Sequence, residues 1–137
     1  MKTKRVFAFA VFALLVALPL RNVVILGHHS RAHYESDDKR KTMKGVVVEY
    51  QWRNPHVYVV WNVKDDTGKA VQWTGELSSV TTSIADGMTK NSLKPGEEIT
   101  IIAVPSRSGT PEGLIRKIIK TNGTVVVDLT AQNIRPQ

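Results

Sequence analysis

Apolar and polar positions divide this chain into three textures. Residues 6–18 form an unbroken apolar run behind Lys2, Lys4 and Arg5, and a second apolar patch fills 23–26. Such a run is short for a membrane span, which takes about 20 residues. A charged start before roughly 7–15 apolar residues is instead the pattern of a secretory signal. The pattern predicts a signal peptide over residues 1–27, with an uncleaved anchor helped by 23–26 as the competing outcome. Residues 28–43 then lose all period around Asp37-Asp38-Lys39-Arg40-Lys41 and read as an extended arm.

From Lys44 onward the texture is that of β-strands. Residues 45–52 are β-branched and aromatic, and Asn54-Pro55 interrupts them because proline has no N–H for a ladder. A second strand is predicted over 56–64, with Val57, Val59, Trp61 and Val63 on one face and Tyr58, Val60 and Asn62 on the other. Asp65-Asp66-Thr67-Gly68 reads as a hairpin turn into a third strand over 70–77. Within 78–90 the period changes: Val80, Ile84 and Met88 recur on one helical face, with Ser78 or Ser79 as N-cap, and the poor helix formers Thr81 and Thr82 predict a short helix. Strands follow over 97–104, 114–120 and 124–129, and Asn122-Gly123 predicts a type I′ turn between the last two.

Three strands, a helix and two strands is the order of an OB-like small Greek-key barrel, here with a sixth strand at the C-terminus. A small α+β sandwich is the competing arrangement. The expected organisation is a signal peptide (1–27), a histidine-containing arm (28–43), a mainly β barrel domain (44–130) and a disordered tail (131–137).

Charge alters this picture only slightly. The whole chain carries a formal +7, yet four of its 19 basic residues and none of its 12 acidic ones lie in the leader. The remainder is near +3, which leaves no nucleic-acid footprint. No cysteine is present, so disulfides and thiolate metal sites are excluded. Any metal would be held by histidine, carboxylate, amide or terminal amine, a donor set suited to copper, zinc or nickel. Membrane association is expected only through an uncleaved leader, and the localisation implied is the periplasm or the exterior.

Several segments together carry a family likeness. They are His28-His29-Ser30 after the leader, Gly45-Val46-Val47, Trp52-Arg53-Asn54-Pro55-His56-Val57, Trp73-Thr74-Gly75-Glu76-Leu77 and Ser92-Leu93-Lys94-Pro95-Gly96-Glu97-Glu98-Ile99. With these the chain resembles an uncharacterised family of small exported, mostly proteobacterial proteins. The resemblance implies export and a compact β domain. It supplies neither an activity nor catalytic residues. Family leaders usually end in Ala-x-Ala, and Ile25-Leu26-Gly27 departs from that.

The sharpest chemistry lies in the four histidines. Cleavage after Gly27 makes His28 the new amino terminus, where amine and imidazole together chelate one ion in the manner of copper brace sites. His56 or His33 would complete the set, with His29 adjacent. Cleavage after Leu26 instead places a histidine third, a different Cu(II) chelate built with backbone amides. The competing account is a solvated linker, with His56 acting as a structural cap on turn carbonyls. A non-metal alternative places a glycan or protein partner on Trp52 and Tyr58, with Trp61 and Trp73 assigned to the core by parity. Glu76 reads as a buried charge or a metal carboxylate, or as part of the non-metal site, with a rim charge the favoured account. Arg107, Arg116, Lys117 and Lys120 read as a solvated basic face. The sequence contains no nucleophile triad, phosphate loop or His-Glu-x-x-His helix, so no catalytic residue is assigned.

Overall fold

The computed structural model describes residues 31–132. Residues 1–30, which hold the expected signal peptide, His28 and His29, and residues 133–137 lie outside them. Two short 3-10 turns, Arg31–His33 and Asp37–Lys39, precede strand β1 (Lys41–Gln51). Next come β2 (Tyr58–Lys64), β3 (Ala70–Glu76), helix α1 (Val80–Ala85), β4 (Glu98–Pro105), β5 (Glu112–Lys120) and β6 (Val125–Asp128).

Antiparallel pairing runs β3-β2-β1-β4-β5, and a parallel pairing of β3 with β5 closes the ring. The result is a closed five-stranded mixed barrel with one helix between β3 and β4, consistent with an OB-like fold. β6 is extra and pairs with the C-terminal part of β5. β1 is long because it serves two neighbours, β4 along Lys41 to Val46 and β2 along Val46 to Gln51. A bulge between Val47 and Glu49 marks the second pairing, and bulges of this kind let one strand bend around a barrel.

The inward face expected for β2 holds, although Val60 on the opposite face is also buried, outside the core cluster. Val57, Val59 and Trp61 are fully buried and join Ile101, Ile115 and Ile118 in the core. Trp73 pairs with Trp61 across the strands and packs on the core while only partly buried. Gly75 lets β3 lie close against this core: a Cβ there would stand 2.5 Å from Ile115 Cδ1 and 2.8 Å from Trp61 Cζ3.

The helix is short, as expected, a six-residue segment capped by Ser79, whose hydroxyl accepts from the Thr82 N–H at 3.2 Å. Two local expectations need correction. Ile84 is 58% exposed and Ser83 is buried; Met88 reaches the core from beyond the helix end, so the expected i, i+4, i+8 face does not exist. The turn before β6 is not type I′ either. That type needs positive φ at Asn122, but among the described residues positive φ occurs only at glycines, here at Gly123. The Gly123 N–H donates to the Lys120 carbonyl at 2.9 Å, and Asn122 Oδ1 accepts from Thr124 instead.

Strand β1 begins at Lys41 rather than Lys44, and the preceding residues, read as an extended arm or loop, are docked on the barrel. Tyr34 is buried and forms an antiparallel bridge with Ser106 in the loop between β4 and β5. Glu35 N–H donates to the Pro105 carbonyl, and Arg107 N–H donates to that of His33. Arg116 is also not a solvated cation. It is 4% exposed, its Nε lies 3.1 Å from Asp37 Oδ1 without hydrogen-bond alignment, and its Nη2 donates to the Gln132 carbonyl at 2.8 Å. Lys117 and Lys120 are likewise paired, with Asp128 and Glu97.

Candidate functional site

Period-two alternation turns Tyr58, Thr74 and Glu76 away from the barrel interior, the opposite parity to Val59, Trp61 and Gly75. Tyr58 is registered against Glu76, and Thr74 against Glu112 at the start of β5. Outward-facing residues on β2 and β3 normally meet solvent. Here the docked arm crosses that face, and His33 and Tyr34 complete a small cleft of about 90 Å³ lined also by Tyr58, Thr74, Glu76 and Glu112.

Glu76 is the centre of the arrangement. It is 6% exposed, so the expected rim charge is a buried carboxylate. The reason is tertiary: Tyr34 covers it from the arm while His56 approaches from the β1–β2 loop. The Tyr34 hydroxyl donates to Glu76 Oε2 at 2.7 Å. His56 Nδ1 stands 2.9 Å from Glu76 Oε1 and 3.1 Å from the Leu77 carbonyl. A carbonyl oxygen only accepts, so these contacts place the ring proton on Nδ1. In the neutral ring the lone pair is then on Nε2.

The second pair is looser. His33 Nε2 lies 3.1 Å from Ser106 Oγ and 3.3 Å from Glu112 Oε2. Burial, followed by the hydrogen bond and charge of Glu76, drives the Tyr34 phenol far above its ordinary range. Burial and the Glu76 charge also raise Tyr58. Both phenols are therefore neutral donors at physiological pH.

The site residues expected from sequence fare unequally. His33, Tyr58 and Glu76 line one cleft, and His56 joins it through Glu76. Trp52 is elsewhere: it packs against the core and against Tyr50, with ring centroids 5.8 Å apart. It therefore shares no platform with Tyr58. Among the described residues no three of His, Asp and Glu form a group able to hold a metal ion. His28 and His29 lie outside the described residues.

Sequence reasoning missed Tyr34, Thr74 and Glu112. Thr74 had a signal, since it shares the outward parity of Glu76. Tyr34 is the one aromatic in an otherwise polar arm, and such isolation hints at docking. Glu112 sits at the end of a Gly/Pro-rich loop, where nothing local announces its neighbours.

Fold and site define a small closed β-barrel whose outer face carries a strap-covered polar cleft around one buried carboxylate. By sequence the chain belongs to DUF6152, a family of unknown function whose model matches residues 17–117. No curated protein and no solved structure matches it.

Proposed function

We propose that this protein is an exported binding module of the cell envelope that holds a copper-like metal ion, with His56 as its first donor. The observation carrying this reading is the double contact at His56 Nδ1, to Glu76 and to the Leu77 carbonyl. Metal-bound histidines characteristically give their second ring N–H to a carboxylate or backbone carbonyl, which sets the tautomer and raises ligand basicity. His56 has both partners, and its side chain keeps 28% of its surface exposed. Glu76 acts in this reading as the group that orients the ring.

One imidazole does not hold an ion alone. His33 already lines the cleft. His28 and His29 are five or six residues before Tyr34, a covalent reach of up to ~20 Å. If the leader is removed after Gly27, the His28 amine and imidazole supply two further donors. The basic start and apolar run over 6–18 support export.

The test is calorimetric titration of the exported protein with Cu(II) and with Zn(II), alongside intact mass to define its first residue. One site per chain, weakened by His56→Ala and by His28→Ala, is expected. A protein that takes up neither ion, and whose melting temperature neither ion raises, refutes the reading, because a ligand bound only by the folded state stabilises it.

A second reading has its own support. Tyr58, Thr74 and the two carboxylates make the cleft a place for a small hydroxylated or cationic ligand without metal. Chemical-shift changes at Tyr58 and Thr74 on adding sugars to metal-free protein would favour it.

A further inference from the structure

Glu76 is held from two sides by groups of different origin. Tyr34 belongs to the arm that precedes the barrel, whereas His56 belongs to the loop between β1 and β2. Each occupies one carboxylate oxygen, Tyr34 Oε2 and His56 Oε1, at 2.7 and 2.9 Å. The carboxylate torsion of a glutamate is intrinsically broad, so the Tyr34 hydrogen bond on one oxygen, with the His56 ring beside the other, is what holds its plane.

From this we infer that Tyr34 is a positioning residue of the site: by holding Glu76 it sets the orientation of His56, so docking of the arm and presentation of the His56 donor are one event. The inference rests on the metal-binding reading above and assigns it a means of control. The arm is anchored independently of the hydroxyl. Arg107 Nε donates to the Tyr34 carbonyl at 2.7 Å, and the Tyr34–Ser106 bridge ties the backbone. Loss of the hydroxyl alone therefore leaves the arm in place and frees one edge of the carboxylate.

Docking also restricts the ligand. The β2–β3 face and its flanking loops are where open OB barrels take extended chains. In this protein His33 and Tyr34 close that face down to about 90 Å³. An ion or a ligand of a few atoms fits a space of that size.

A matched pair of full-length variants tests the inference. Tyr50 is the comparison: it is partly buried, and its hydroxyl donates to a backbone carbonyl, that of Thr89 at 3.0 Å, away from the cleft. Nitrogen NMR of the metal-free protein reads the His56 ring directly. Wild type should show the Nδ1–H tautomer, Tyr34→Phe and Glu76→Gln should shift those resonances, and Tyr50→Phe should leave them in place. In Cu(II) titration Tyr34→Phe should weaken binding about tenfold, the usual scale for removing a group that orients a ligand, with Tyr50→Phe near wild type.

Unchanged His56 resonances in Tyr34→Phe, or equal shifts in Tyr50→Phe, overturn the inference and indicate general loosening. If wild type binds no metal, the metal-binding reading falls by itself, and the ring resonances still decide whether Tyr34 positions His56.

Discussion

Removing Asp37 should release the arm at a measurable energetic cost. Its carboxylate lies 3.1 Å from the Nε of Arg116, whose side chain is 5% exposed. Breaking a buried ion pair by deleting one partner costs about 3–5 kcal/mol, because the remaining charge keeps its desolvation penalty. The Asp37 side chain retains 29% of its surface in water, which screens the pair. Asp37→Ala is therefore expected to cost ~2 kcal/mol, or about 10 °C in melting temperature for a domain of this size. Urea unfolding gives the global figure. Hydrogen exchange at the Glu35 and Arg107 amides, which bridge arm and barrel, reports the local one. Asp37 also pairs with Arg40 at 2.6 Å, so Arg40→Ala is the control and should cost under ~1 kcal/mol. The diagnostic result is the double variant Asp37→Ala with Arg116→Met. Replacing both partners removes the buried charge, and the double should be more stable than Asp37→Ala alone. A single variant within ~0.5 kcal/mol of wild type, or a double with additive losses, refutes the reasoning.

Three further outcomes are expected. Gly75→Ala should destabilise the barrel by about 1–3 kcal/mol, since the new methyl must displace Ile115 or Trp61, and an unchanged urea midpoint would contradict the close packing of β3. Stability should fall as pH rises above about 10. Tyr34, Tyr50 and Tyr58 are all raised by burial, so the folded chain retains phenol protons that the unfolded chain releases, and their contribution is whole below that pH and drains above it. A flat alkaline profile, or one that Tyr34→Phe does not soften, would count against this. Trp52→Ala should cost ~2 kcal/mol in stability yet leave affinity at the cleft unchanged, because its ring packs on the core; titration of the variant decides.

Much of the barrel was legible because its signals are local. Alternation in β2 assigned Val57, Val59 and Trp61 to the interior, and turn chemistry separated the strands near the right places. The failures share one cause. Ile84 was read onto a helical face that six residues cannot extend to Met88, and Asn122-Gly123 was read as a dipeptide although the loop takes an additional residue. In both cases the length of the neighbouring element, set by packing, overrode the local preference.

The site divides in the same way. Residue type nominated His33, His56 and Glu76, and parity added to it for Tyr58, because imidazole, phenol and carboxylate announce their chemistry wherever they stand. Which of them meet was decided by the fold. Barrel closure brought Glu112 beside Thr74, and arm docking turned Glu76 from an outward charge into a buried acceptor flanked by Tyr34 and His56. Trp52, equally prominent in the sequence, stays partly buried and packs against the core beside Tyr50. Pattern along a chain records which way a side chain faces on its own strand. Burial and partnership depend on what arrives from residues distant in sequence, and here that was the arm.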